Sequence, residues 1–365
     1  MNYLNINEPE IIGIAGGVFN GRDGMFSNHL SSIIDLPAGG HRIYLCRRFW
    51  FDDKTTSMDI GYCDSDSLTQ WPNLQEKFKP LKLEGLPDNC KTAHPNIIQK
   101  ANSYEMFCWV HGCGMVRYVK CLSRDGINFK IENLAEPCLY HPADFAVAEN
   151  DDAQGLLTVK NHCSTNNPVD DSRTQDIRRE LISNDATCVI YDSQTGQYVM
   201  HTVHLTPSEL LPERIVPYDN APKWLRVIHR RASKDGLSWS NSEPVFVPDE
   251  NDPVDLQFYS LVPRKAGPGM IGVLGYYPVK DQVLDLLPAV YDESGCWWRT
   301  RGPWRLREKI SLAGKPVKMI FPGAIVQAGS DLIISGTCCS YLHNQVGKLA
   351  PEEYVQANAL FRLPL

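Results

Sequence analysis

The sequence predicts an all-β protein, a β-propeller of five four-stranded blades, on three observations. These are a composition rich in turn formers, a turn phrase that recurs at a near-constant interval, and a strand-like run upstream of each copy. The 365 residues include 25 Pro, 26 Gly and 15 Tyr, and the 43% that are hydrophobic fall in short scattered runs. Many short strands joined by turns produce that mixture, whereas long amphipathic helices do not.

The turn phrase reads Ser65-Asp66-Ser67-Leu68-Thr69-Gln70-Trp71, then Ser123-Arg124-Asp125-Gly126-Ile127-Asn128-Phe129, then Ser233-Lys234-Asp235-Gly236-Leu237-Ser238-Trp239, and more loosely Asp292-Glu293-Ser294-Gly295-Cys296-Trp297. Its closing aromatics, at 71, 129, 239 and 297, are spaced by 58, 110 and 58 residues. The middle spacing is close to two periods, so one copy is expected to have degenerated or been replaced. Asp-Gly or Asp-Ser supplies the tight turn and the aromatic returns to cover the sheet. The phrase therefore reads as a staple between strands.

Middle strands are expected at Ile43–Cys46, Tyr104–Trp109, Tyr198–Val203, Ile271–Tyr276 and Leu332–Thr337. Inner strands are expected to begin near Ser31, His94, Asp144, Asp185, Asp255 and Phe321, six starts in all. The stretch from Asp144 to Ile182 leaves no room for an outer strand before Asp185. It reads as an elaborated insertion over 140–183 in a five-bladed ring, with six blades as the alternative. The whole chain, 1–365, is expected to be this single domain. Ser208–Leu211 and Pro351–Ala357 read as a turn or two of helix on loops. The competing architecture is a two-sheet sandwich with coincidental turns.

The formal net charge of −7 argues against nucleic acid as a partner, because neutralising phosphates needs clustered Lys and Arg. Residues 1–10, MNYLNINEPE, lack the basic start and apolar core of a secretory signal. The apolar stretch Ile11–Phe19 is cut by three glycines and is shorter than the roughly 20 residues a bilayer needs. No membrane association is expected, and with no Asn-x-Ser/Thr acceptor in the chain a cytoplasmic location is. Twelve cysteines spread through strand-like runs read as free buried thiols.

The Ser-x-Asp-Gly-x-x-Trp phrase, the stretch Asn184–Asp192 before Gly196-Gln197-Tyr198-Val199, and the stretch Pro248–Tyr259 together resemble bacterial proteins related to the five-bladed glycoside hydrolases. Those relatives include the levanase/invertase and arabinanase/xylosidase families. The resemblance runs from Ile43 to Thr337 and implies the propeller, together with a glycosidase acting on a small or oligomeric glycan. The levanase-type Trp-Met-Asn-Asp-Pro-Asn signature is absent, as are clear Arg-Asp-Pro and Glu-Cys motifs, so fructan cleavage is not implied. Sialidase Asp-boxes carry a residue between Asp and Gly that this chain lacks.

In a propeller the inner strands start near the axis, so side chains there converge on one pocket. Asp144, Asp185 and Asp255 precede apolar inner-strand candidates, and crowding three acids would raise the pKa of one until it can donate a proton. Glycosidic cleavage needs such a division between acid and base. Asp185 and Asp255 are the preferred catalytic pair, with Glu180 an alternative acid, and the resemblance implies inversion through an activated water. His94, His141, Gln257, Tyr259 and His343 are candidates for holding the sugar, and Arg230 and Arg231 for holding a carboxylate or phosphate. The plain alternatives are Asp residues that cap turns and His or Tyr residues that fill a core. No zinc spacing, phosphate loop or dinucleotide fingerprint appears. No cofactor is called for, and an axial Ca2+ is the one ion left open. The rival function is a propeller that binds a sugar or partner without cleaving it.

Overall fold

The computed structural model describes residues 6–53, 56–112, 115–139, 181–207, 224–267 and 269–364. The five expected middle strands are the second strands of five sheets, and these sheets stand round one axis as propeller blades. In the first blade the inner strand is split into Met25–Ser27 and Ile33–Asp35, followed outward by His41–Trp50, Thr56–Ser65 and Lys79–Pro80. The second runs Lys91–Gln99, Tyr104–Gly112, Met115–Ser123 and Asn128–Ile131, with Lys82–Glu84 added parallel to its outer edge. The third runs Leu181–Asp192, Gln197–Pro207, Trp224–Ser233 and Glu243–Phe246. The fourth runs Leu256–Ala266, Gly269–Pro278, Asp285–Tyr291 and Trp297–Arg299.

The fifth blade closes the ring. Its inner three strands, Met319–Ala328, Asp331–Cys339 and Val355–Pro364, come from the end of the chain, and its outer strand, Glu10–Asn20, from the beginning. Pairing the two ends of a sequence in one sheet removes the open seam a ring would otherwise have.

The turn phrase acts between blades. In the second blade Ser123 Oγ accepts from the Gly126 amide, and Asp125 Oδ1 accepts from the amides of Ile127 and Asn128 at 2.8 Å. The same bonds recur at Ser233 and Asp235 in the third. The carbonyls so exposed accept from the preceding blade: Arg42 and Tyr44 donate to Asp125 and Gly126, and Lys120 and Cys138 to Asp235 and Gly236. The closing aromatics point the same way. Trp71 packs with Ala15, Phe19 and Leu360 of the fifth blade, Phe129 with Tyr44 and Tyr62 of the first, Trp239 against Phe107 of the second, and Trp297 against His201 and Phe246 of the third. Full burial of such a ring is worth about 1.5–3 kcal/mol; Trp71 and Phe129 are buried and Trp239 and Trp297 half-buried, which makes the repeat a blade-to-blade latch.

Two expectations need correction. The 110-residue spacing does not mark a lost blade, because the second and third blades are neighbours: Asn96 Oδ1 accepts from the Val189 amide at 2.8 Å. The extra chain includes residues 140–180 and 208–223, so the expected insertion and the Ser208–Leu211 helix fall largely or wholly outside the described residues. Pro351–Ala357 is helical only over Pro351–Glu353, a 3-10 turn, since from Val355 the ladder with Asp331–Cys339 outweighs local propensity. The ten described cysteines are free, and only Cys296 is exposed. No helix among the described residues is long and apolar enough to cross a membrane.

Candidate functional site

Every inner strand bulges at the same level. His94 and Pro95 together face one residue of the neighbouring strand, as do Tyr259 and Ser260, and Gly323 and Ala324. In the third blade Ser183–Ala186 forms the bulge, and in the first the whole break Asn28–Ser32. A bulge unpairs residues and re-aims their side chains, so five of them in register direct groups at the axis. Leu30 and His94 hold left-handed φ angles of 51° and 55° there, a strain of about 1–3 kcal/mol each that the surroundings must sustain.

A buried network holds the first bulge. The Asn28 amide donates to Thr337 Oγ1 and Asn358 Oδ1 at 3.1 Å, and its side chain donates to the Tyr44 carbonyl at 3.1 Å. Ser335 Oγ donates to Asn28 Oδ1, which also accepts from the Ala324 amide. Gly323 lies under this contact. A Cβ there would meet Asn28 Oδ1, so only glycine lets the first and fifth blades approach so closely.

The residues before the bulges open on a cavity of about 320 Å3, at the low end of the roughly 300–1,000 Å3 of small-molecule sites. Residues after the bulges, among them Ile97, Val189, Val262 and Ile325, line a second opening at the far end of the axis. An arc of rings crosses the first cavity from blade to blade. His94 lies 5.1 Å from His29, His29 5.0 Å from Phe321, Phe321 5.4 Å from Tyr259 and Tyr259 5.2 Å from His343. His29 Nδ1 lies 2.9 Å from the Pro322 carbonyl and His94 Nδ1 3.0 Å from the His29 carbonyl. A carbonyl only accepts, so each Nδ1 carries its hydrogen. His343 bridges the phenols of Tyr259, at 3.0 Å from Nε2, and Tyr277, at 3.2 Å from Nδ1. Such an arc offers flat faces to a ring ligand and fixed polar atoms at its edges.

Three of the expected sugar-binding residues, His94, Tyr259 and His343, therefore meet in one cavity. Gln257 does not line it. Its buried Oε1 accepts from Arg226 Nη1 at 2.9 Å and holds that guanidinium 5.2 Å from the Tyr259 ring. Arg230 and Arg231 lie on the third strand of their blade beside the turn phrase, where Arg231 donates to the Ser240 carbonyl, and neither reaches the cavity. Asp255 does not line it either. It caps a turn, accepting from the Lys280 amide at 2.8 Å, where the chain passes from the second to the third strand of the fourth blade. Asp252, from the same stretch, binds the buried Arg299 at 2.6 Å. Asp185 sits within the bulge of the third blade. Asp144, Glu180 and His141 lie outside the described residues.

Sequence reasoning missed His29, Arg48 and Gln356, which also line the cavity. The break in the first inner strand was the one available signal for His29. Cys46 and Cys339 face the cavity too, but burial pushes both thiols up to about 12, so they stay protonated and are not nucleophiles. No carboxylate lines the cavity among the described residues, and among them no three His, Cys, Asp or Glu side chains gather as metal ligands. A hard cation such as Ca2+ takes oxygen ligands, and the described lining offers hydroxyl and amide oxygens but no carboxylate.

No protein-family model matches the sequence, and no curated protein does. Solved structures do match its fold. A glycoside hydrolase superposes with a TM-score of 0.57 at 9% identity, over 99% of this chain and 93% of the other. A thermostable family-43 glycoside hydrolase gives 0.55 at 12% identity, over 93% and 89%. An N-acetylgalactosamine deacetylase from F. plautii, in complex with blood group B trisaccharide, gives 0.53 at 9% identity, over 98% and 95%. In fold, the chain resembles the five-bladed propellers of glycoside hydrolases.

Proposed function

We propose that the chain is a glycan-processing enzyme, a glycosidase that holds one or two sugar units in the axial cavity. The observation that carries this is the arc of five rings, His94, His29, Phe321, Tyr259 and His343, brought together from four blades. The fold neighbours support it, since two are glycoside hydrolases and the third is a deacetylase in complex with a trisaccharide. A fold carries several chemistries, so the acid and base must be argued from the site.

The third blade bulges like the other four, and its bulge contains Asp185. We assign Asp185 as one catalytic carboxyl group, and Asp144 or Glu180 as its partner in place of Asp255. One protonates the leaving oxygen while the other activates water. The free cysteines suit a reducing compartment, in keeping with a cytoplasmic enzyme.

Release of reducing sugar from a glycan panel tests the assignment. Asp185→Asn should lower turnover roughly 10²–10⁴-fold, the usual contribution of one acid-base group, while Asp255→Asn stays within a few-fold of the parent. Unchanged turnover in Asp185→Asn refutes it. The absence of a carboxylate from the described lining favours one second reading, a sugar-binding propeller without catalysis. Glycan binding with no turnover by the parent protein would establish that reading.

A further inference from the structure

We infer that the axial cavity selects an anionic sugar, one bearing a carboxylate or a phosphate, and that Arg48 supplies the selecting charge. This rests on the glycan reading and names the substrate class within it.

The argument starts from strand register. The second strand of the first blade carries three arginines, and two have an aspartate directly across on the next strand: Arg42 opposite Asp64 and Arg47 opposite Asp59. Arg42 grips Asp64 at 2.7 and 3.0 Å, and Arg47 grips Asp59 at 3.1 and 2.6 Å. Arg48 instead has Met58 on one side and Met25 on the other. It meets the Met58 sulfur, 3.4 Å from Nη2, and the Trp50 ring, 5.9 Å away. Neither neutralises a guanidinium.

Alternation along the strand turns Arg48 away from the Arg47–Asp59 pair and into the cavity wall. There its charge acts on Cys46, Cys339 and Tyr341, three other lining groups. The described lining offers it imidazoles, phenols, hydroxyls and the Gln356 amide, but no carboxylate. A half-buried guanidinium without a counter-charge is unfavourable, and its planar fork matches a carboxylate or phosphate through two parallel bonds. Among the described residues of the lining, a neutral sugar brings Arg48 no charge partner. An acidic one supplies the missing partner while its ring lies against the aromatic arc.

Calorimetric titration of the full chain with matched probes tests this: glucose, glucuronate and glucose 6-phosphate, the corresponding galactose and mannose compounds, and inorganic phosphate alone. At least one acidic sugar should bind about tenfold or more tightly than its neutral parent, with the advantage shrinking as salt is raised. Arg48→Met, which matches its methionine neighbours, should remove that advantage, and Arg48→Lys should keep part of it. Arg305→Met on the surface should change nothing. Which acidic probe wins separates a carboxylate from a phosphate as the recognised group. Neutral and acidic sugars binding equally, or an advantage that survives Arg48→Met, overturns this inference and leaves the glycan reading standing. Arg48-dependent binding of inorganic phosphate to which no sugar ring adds affinity overturns the glycan reading instead. No binding by any probe overturns both.

Discussion

Acidification from pH 7 to pH 5 should weaken the fold through the third blade, where three imidazoles are buried. Among the described residues, both nitrogens of His201 and His204, and Nδ1 of His229, lack hydrogen-bond partners, and the His204 and His229 rings stack 3.7 Å apart. Burial, helped by the nearby Arg230 charge, lowers the His201 pKa to about 3. Burial and then Arg231 lower that of His229 to about 4, and burial, His229 and Arg231 together hold His204 well below its ordinary value. In the unfolded chain each histidine titrates near 6.5. The native state thus binds fewer protons than the unfolded state below that pH, so stability is full above pH 6.5 and falls as pH drops toward 4 and then 3. Between pH 7 and pH 5 each imidazole costs about 2 kcal/mol, so His201 and His229 together cost about 4 kcal/mol, and His204 adds in the same direction. Asp125 and Asp235 contribute below this window, because turn amides hold both carboxyl groups low. Urea titrations at the two pH values measure the fall, and proton uptake on unfolding at pH 5.5 should be about 0.9 per histidine. The double variant His201→Leu with His229→Leu should lose most of the fall and about two protons of uptake. Equal stability at pH 7 and pH 5, or a double variant that keeps the fall, would refute the reasoning.

Gly126→Ala should destabilise by about 1–2 kcal/mol or more, because φ is +70° there and the new Cβ would lie 2.8 Å from the Tyr44 hydroxyl; thermal unfolding measures it. Arg299→Met should cost about 3–5 kcal/mol in denaturant, since it strands Asp252 as an uncompensated buried charge. Asp255→Asn keeps an oxygen for the Lys280 amide, so its urea midpoint should correspond to a loss of no more than about 1 kcal/mol. In the native protein a thiol reagent should label Cys296 first among the ten described cysteines and reach the eight buried ones only on unfolding.

Much of the ring was legible in the sequence because its signals are local. Ser123 and Asp125 make their turn with amides no more than three residues away, so the phrase could be read from spacing alone. The five middle strands announced themselves as apolar runs, and the inner-strand starts near His94 and Phe321 proved to be cavity residues. The stretch Pro248–Tyr259 was harder to read, because the same Asp-rich pattern serves catalysis or capping depending on what lies opposite. Asp252 meets Arg299 and Asp255 meets the Lys280 amide, and both partners are distant in sequence.

The amino-acid sequence by itself determined the repeat, the blade and the aromatic that ends each latch, since turn chemistry and strand alternation reach only a few residues. Tertiary structure decided which side chains meet at the axis. The bulges set that, and a shift of one residue sends a side chain to the opposite face, which is why Arg47 finds Asp59 while its neighbour Arg48 faces the cavity.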